Sequence, residues 1–199
     1  MVSKREVRQI HAARFAKENA AVRDRLIESY RFFKPFVDKD LPLLDIGARD
    51  GWMLDYLKRK RFTNIMGIDV YVEAIKHAQW QGLNVVRADM HDLSLFEKEK
   101  FGTILMIHTF ELCHDAKVVM DGIIRILKPN GILYVEMPIE GHNIKDVDLF
   151  RNFAVHSYNF TSIHEIQDAV GSQFELLKHK LTFLRKKRKN LLCAFKKIG

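Results

Sequence analysis

The sequence predicts an open α/β fold. It has a seven-stranded, mostly parallel sheet with helices on both faces, an antiparallel last strand and an N-terminal helical extension. Three observations carry this. From residue 43 onward, short apolar runs alternate with amphipathic helical stretches. The apolar runs are continuous rather than alternating, which marks strands buried on both faces, as in a parallel sheet. The last two runs are joined only by Arg185-Lys186-Lys187-Arg188-Lys189. That link is too short for a crossover helix, so these two strands pair antiparallel.

The elements follow in order. Residues 4–34 hold no glycine or proline and space apolar residues at a loose helical period (Val7, Ile10, Phe15, Val22, Leu26, Ile27, Tyr30). Pro35 and Pro42 frame a connector. LLDIG is a buried strand ended by Gly47, and WMLDYLKRK is a helix. TNIMGIDV is a strand, and VEAIKHAQWQG is a helix closed by Gly82. LNVVRAD and FGTILMIHTF are strands, the second running from Phe101 to Phe110. AKVVMDGIIRILK is a helix stopped by Pro129, and GILYVEMP is a strand. TSIHEIQDAV is a helix with Thr161 or Ser162 as N-cap. FELLKHKLTFL and NLLCAFKKI complete the sheet. The reading gives a helical lid or extension over residues 1–40 and one domain over 41–199.

Composition narrows the function classes. The chain has 199 residues, 47% hydrophobic and 29% charged. That excludes a disordered chain, a collagen-like repeat and a disulfide scaffold. No run approaches the roughly 18 apolar residues of a membrane span. The N-terminus has no apolar signal core, so the expected location is cytoplasmic. Cys113 and Cys193 read as reduced, buried thiols. The net charge of +8 is uneven: residues 1–40 carry +4, residues 41–170 carry −4 and residues 171–199 carry +8. The basic ends offer an anionic partner a contact, and the central body does not.

The chemistry-bearing residues sit at strand ends. Asp45-Ile46-Gly47-Ala48-Arg49-Asp50-Gly51 joins the first strand to the first helix. In an open α/β sheet this turn is where a nucleotide-like ligand lies, because glycine lets the backbone approach it. The spacing is neither GxGxxG nor a P-loop, which counts against a nicotinamide-dependent oxidoreductase. Asp69 ends the second strand, where a carboxylate accepts from two ribose hydroxyls or else caps the next helix. Ala88-Asp89-Met90 ends the third strand, where a carboxylate and an apolar side chain suit an adenine amine and ring face.

Six segments in order and spacing resemble the class I S-adenosylmethionine-dependent methyltransferases, in particular the small single-domain members of the type 11, 12 and 23 groups. LLDIGARDG is similar to that family's first motif, GIDV to its acidic second and VRADMHDL to its third. FGTILMIHTFELCHDA is similar to the fourth-strand segment, LKPNGILYVEMP to the LKPGG-strand-Pro segment, and HSYNFTSIHEI with FELLKHK to the C-terminal pattern. The sequence departs from the family at Arg49, which replaces the middle glycine, at Leu112, which replaces a histidine, and at Asn130. It also lacks the [DN]PP[YF] run of enzymes that methylate exocyclic base nitrogens.

The resemblance implies a Rossmann-like methyltransferase using S-adenosylmethionine. It implies that Asp45, Gly47 and Gly51 cradle the amino-acid end of the cofactor, that Asp69 holds its ribose hydroxyls, that Asp89 and Met90 frame its adenine, and that Arg49 and Val70 also lie against it. His108 would face both cofactor and acceptor. His108 and Glu111 rank first as bases by position, and His114 and His142 follow. No histidine or cysteine spacing suggests a metal. The implied acceptor is a small molecule or sugar, since the segment after residue 140 resembles members of that kind and no nucleic-acid domain is appended. RNA methylation, or RNA or partner binding without catalysis, is the alternative, resting on Arg49 and the basic run 185–189. That run has no interleaved aromatics for base stacking.

Overall fold

The computed structural model describes residues 24–139, 160–184 and 188–199. The chain divides into two compact units, Met1–Pro35 and Phe36–Gly199. In the first, residues 24–33 form a helix, α1, which buries Leu26, Tyr30, Phe32 and Phe33. Tyr30 and Phe33 meet edge to face at 5.7 Å. Residues 4–23 of the expected helix lie outside the described residues.

The second unit holds the sheet. Its strands are β1 (Leu43–Ile46), β2 (Ile65–Asp69), β3 (Val85–Arg87), β4 (Phe101–Ile107), β5 (Leu127–Pro138), β6 (Phe174–Leu184) and β7 (Arg188–Lys197). Their order across the sheet is β3-β2-β1-β4-β5-β7-β6. The pairings of β1 through β5 are parallel, and β7 pairs antiparallel with both β5 and β6. The terminal hairpin is therefore present as expected. Its returning strand is the one that joins the sheet, and β6 takes the edge.

The helices are α2 (Trp52–Arg59), α3 (Val72–Trp80), α4 (Ala116–Ile126) and α5 (Ile163–Val170). Burial explains the continuous apolar strands. Alternate residues Leu44, Ile46, Ile68, Ile104, Met106, Leu133, Val135 and Met137 share one cluster with Val119, Met120 and Ile123 of α4 and Ile166 and Val170 of α5. On the opposite face Ile65 and Val85 cluster with Leu54 of α2 and Ile75 and Ala78 of α3. Each strand thus needs apolar side chains at both parities. Ser162 caps α5, its Oγ accepting from the Glu165 N–H at 3.3 Å. The Glu165 carboxylate reaches back to the Thr161 N–H and hydroxyl at 2.7 and 2.8 Å.

Two boundaries move for local reasons. The α4 helix ends at Ile126, before the expected Lys128, and Leu127 already pairs with Phe101 of β4. Lys128 precedes Pro129, and proline disfavours helical dihedrals in the residue before it. The fourth strand ends at Ile107 rather than Phe110, because His108 turns into the left-handed region at φ 53°. Asn130, in the position of a family glycine, also has positive φ, at 62°. Cys113 and Cys193 are free and buried, and burial pushes their thiols up to about 11 and about 12.

Candidate functional site

Parallel strands place the C-terminal ends of β1 through β4 along one edge, and the strand order reverses between β1 and β4. Ligands of open α/β sheets lie at such a reversal. The turn after β1 is closed by the Gly51 N–H donating to Ala48 O at 2.8 Å, and it is anchored to β2 by the N–H groups of Gly47 and Ala48 on Ile68 O. Gly47 and Gly51 have φ near +80°. A Cβ on Gly47 would overlap the Thr109 Oγ1 and lie 2.7 Å from its Cγ2. A Cβ on Gly51 would lie 2.5 Å from Leu83 Cδ1. Gly47 is thus required by the fold itself, and at Gly51 the positive φ favours glycine.

Arg49 also has positive φ, at 49°, and its side chain is exposed. Its backbone N–H donates to Asp69 Oδ2 at 2.8 Å, and the Tyr71 N–H donates to Oδ1 at 2.8 Å. Asp69 therefore ties the β1 turn to the β2 turn. It is not the N-cap of α3, a position held by Tyr71. Each Asp69 oxygen spends one lone pair on a backbone N–H and keeps a second for a ligand hydroxyl. The left-handed backbone at Arg49 costs about 1–2 kcal/mol relative to glycine, partly offset by glycine's greater freedom when unfolded. Arg49→Gly is expected to stabilise the chain by about 0.5–1 kcal/mol, read as a melting temperature raised by roughly 1–4 °C. An unchanged or lower melting temperature would contradict the strain.

Asp45 lies two residues before the turn and is buried. Burial, and then the neighbouring Asp69 carboxylate, push it from 3.8 up to about 8. Between those values the unfolded chain has lost this proton while the native chain keeps it. The native state binds more protons there, so Asp45 makes stability fall as pH rises through that window and level off above 8. Asp45→Asn is expected to flatten that descent in melting temperatures taken from about pH 5 to 9. An identical slope in the variant would remove Asp45 as its cause.

At the end of β3, Asp89 accepts at Oδ1 from the His91 backbone N–H (2.9 Å) and from His91 Nδ1 (2.7 Å). Its partial burial works upward, but the bonds from His91 outweigh it and hold the carboxyl below the usual range. His91 Nε2 accepts from the His114 N–H at 3.2 Å, and the two imidazoles stack with centroids 3.6 Å apart. His114 thus belongs with Asp89. Met90 is half-buried against the core, and Val70 is exposed. His142 and residues 185–187 lie outside the described residues.

Beyond β4, His108 stands between two buried carboxylates. Its Nδ1 is 3.7 Å from Glu111 Oε1, and its Nε2 is 3.4 Å from Glu136 Oε1. Its backbone N–H donates to Glu136 O at 2.7 Å. Glu136 Oε2 accepts from the Tyr134 hydroxyl and Oε1 from Asn190 Nδ2, each at 2.7 Å. The structure thus brings together His108 and Glu111, the two residues that the sequence reading ranks first as bases. It adds Tyr134, Glu136 and Asn190, which that reading missed. One signal was present: Glu136 is a charged residue inside a continuous apolar strand. Nothing local marks Asn190.

The methyltransferase domain model matches residues 14–179, most of the chain. The chain belongs to the methyltransferase-domain family. The fold is shared with solved structures at low identity. One is a SAM-dependent methyltransferase of Methanosarcina mazei (21% identity, TM-score 0.67, covering 85% of this chain and 98% of that one). Another is a S-adenosylmethionine-dependent methyltransferase of Mesorhizobium loti (13%, TM-score 0.69, 84% and 97%). A third is a chain in complex with the Haloferax volcanii Trm112 methyltransferase activator (17%, TM-score 0.70, 92% and 96%). A sequence search of curated proteins returned no match. S-adenosylmethionine is the cofactor that this membership implies. The residues present fit it: the Gly47–Gly51 turn lies at the strand-order reversal, and each Asp69 oxygen keeps acceptor capacity for a hydroxyl. Among the described residues no helix is long and apolar enough to cross a membrane.

Proposed function

We propose that this methyltransferase-domain chain transfers a methyl group by in-line displacement to a small-molecule acceptor or sugar. The observation that carries the proposal is the convergence of the Gly47–Gly51 turn, Asp69, Asp89 and His108 along one sheet edge, at the strand-order reversal. The bound cofactor supplies an electrophilic methyl on a sulfonium that departs as a neutral thioether. The protein's part is alignment, exclusion of water and removal of the acceptor's proton.

In this reading Gly47, Arg49 and Gly51 present backbone to the amino-acid end of the cofactor. Asp69 and Val70 hold the ribose, and Asp89 and Met90 frame the adenine. Asp45 meets the cofactor's ammonium group. His108 takes the acceptor's proton, with Glu111 beside it. The small-molecule acceptor is supported by the resemblance of the segment after residue 140 to members of that kind.

Titration calorimetry with S-adenosylmethionine, S-adenosylhomocysteine and NAD tests the cofactor. The first two are expected to bind and to stabilise the fold by about 2.7 kcal/mol at a hundredfold excess over Kd. Binding of neither would remove the reading, and protein that kept RNA through high salt and methylated it would replace the acceptor class. A cation beside a protonated Asp45 must also expel its proton. Binding near pH 7 is therefore expected to release close to one proton, measured by repeating the titration in buffers of different ionisation enthalpy. Enthalpies that do not vary with buffer would separate Asp45 from the ammonium site.

A further inference from the structure

We infer that Glu136, braced by Tyr134 and Asn190, is the positioning residue that fixes the ring of His108, and that the site thereby selects acceptors that must lose a hydroxyl proton as they are methylated. This rests on the methyltransferase reading and deepens it by naming the acceptor class.

Glu136 is 1% exposed, in the middle of an apolar strand. A buried carboxylate is costly unless its oxygens are bonded, and a packed apolar residue would serve the sheet as well. Here both oxygens are bonded, by the Tyr134 hydroxyl and by Asn190 Nδ2. The partners arrive by topology. Tyr134 precedes Glu136 by two residues on the same face, and Asn190 sits opposite Pro138 because β7 runs back along β5. Their arrangement fixes the carboxylate against His108.

Glu136 then holds His108 at two places. Its carbonyl accepts the His108 N–H at 2.7 Å, at a backbone in the left-handed region. Its Oε1 lies 3.4 Å from His108 Nε2. That nitrogen is sealed from solvent and makes no hydrogen bond within ordinary limits, and Asn190 Oδ1 is likewise sealed with no partner. The ring is 22% exposed, which leaves Nδ1 as the open nitrogen. Both nitrogens face a carboxylate, but Glu136 stands nearer to Nε2, at 3.4 Å, than Glu111 does to Nδ1, at 3.7 Å, which favours the tautomer with its proton on Nε2 and the lone pair on Nδ1. Such a ring is a base aimed outward, with a negative charge behind it and the Glu111 carboxylate 3.7 Å from Nδ1.

This arrangement suits an acceptor whose proton must leave. As the acceptor oxygen bonds the methyl carbon and the carbon–sulfur electron pair stays with sulfur, Nδ1 takes the hydroxyl proton. The imidazolium so formed has a carboxylate oxygen 3.4 Å from Nε2 and another 3.7 Å from Nδ1, and their negative charge favours it. An already deprotonated thiolate or a neutral amine needs no such base for the transfer itself.

The test has three readings. Nitrogen–proton correlation spectra of histidine-labelled, cofactor-free protein report the tautomer directly. The expected result is an Nε2–H tautomer at His108 that is kept in Tyr134→Phe, where Asn190 still holds the oxygen facing Nε2, and lost in Glu136→Gln. Calorimetry with S-adenosylhomocysteine should give Kd values within about threefold of each other for all three proteins, since Glu136 faces the acceptor base rather than the cofactor cradle. Wild-type protein with S-adenosylmethionine should methylate members of a hydroxyl panel (catechol, 4-hydroxybenzoate, glucose). Glu136→Gln should lower kcat roughly 30-fold or more, with the acceptor KM little changed and the pH profile displaced. A tautomer unmoved by Glu136→Gln overturns the positioning role. If Glu136→Gln fails to fold, Glu136→Asp, which draws the carboxylate back by one methylene, takes its place, and a tautomer unmoved in that variant overturns the positioning role. Silence on the hydroxyl panel, or turnover confined to histamine and thiols, overturns the acceptor class. Failure of the wild type to bind S-adenosylhomocysteine would instead remove the methyltransferase reading beneath the inference.

Discussion

Asp69→Ala is expected to weaken S-adenosylhomocysteine binding by about 100-fold or more and to lower the melting temperature by several degrees. A hydrogen bond to a charged group contributes about 1.5–3 kcal/mol, and the Asp69 carboxylate has a free lone pair on each oxygen for a ribose hydroxyl. Losing two such bonds is about 3 kcal/mol or more, which is two decades in Kd. The stability loss has a separate origin. The same carboxylate accepts from the Arg49 and Tyr71 N–H groups, so its removal releases both turns that shape the site. Asp69→Asn should do little better. Both oxygens face N–H donors, and an amide must turn its own NH2 group toward one of them. Calorimetry on the two variants checks this, and a Kd within threefold of wild type for Asp69→Ala would take the ribose role from Asp69.

Gly47→Ala is expected to be the most destabilising single methyl group added to this sheet edge. Two costs combine. Alanine at φ +80° pays about 1–2 kcal/mol for the left-handed backbone. Its Cβ must also share space with Thr109, whose Cγ2 would lie 2.7 Å away, and overpacking of this kind costs about 1–3 kcal/mol. Together they predict a loss of about 3 kcal/mol, or roughly 6–12 °C in melting temperature for a chain of this size. The two costs separate in a double-mutant cycle. In the background of Thr109→Ala the overlap is largely gone, so Gly47→Ala should cost only its backbone share. Equal costs in both backgrounds would mean that Thr109 is not what the methyl group meets.

The parts of the site that were legible in the sequence are those governed by short-range grammar. Asp45, Gly47 and Gly51 announce themselves because a strand must turn into a helix within a few residues, and glycine supplies the positive φ that the turn requires. Asp69 and Asp89 were readable because the apolar runs before them end there. Arg49 was legible as a departure from the family, and the structure shows how it is accommodated: its backbone takes the left-handed conformation and its N–H bonds Asp69. The tie between turns 20 residues apart could not be read, since it depends on β1 and β2 lying side by side in register. The end of β4 was misplaced by three residues, because nothing in Ile107-His108-Thr109 signals that His108 will leave the strand to bond Glu136.

By itself, then, the sequence determined the class of fold, the alternation of buried strands and helices, and the carboxylates at strand ends. These follow from periodicity, turn chemistry and burial, all of which act within one element or between neighbours. The tertiary structure alone decided what surrounds His108. Glu136 and Asn190 are 54 residues apart, and they meet only because β7 inserts between β5 and β6 and runs antiparallel, bringing its start to the end of β5 where the parallel strands finish. Which strand of a terminal hairpin takes the inner place is settled by long-range pairing and by burial of both its faces, quantities that no local stretch of residues encodes.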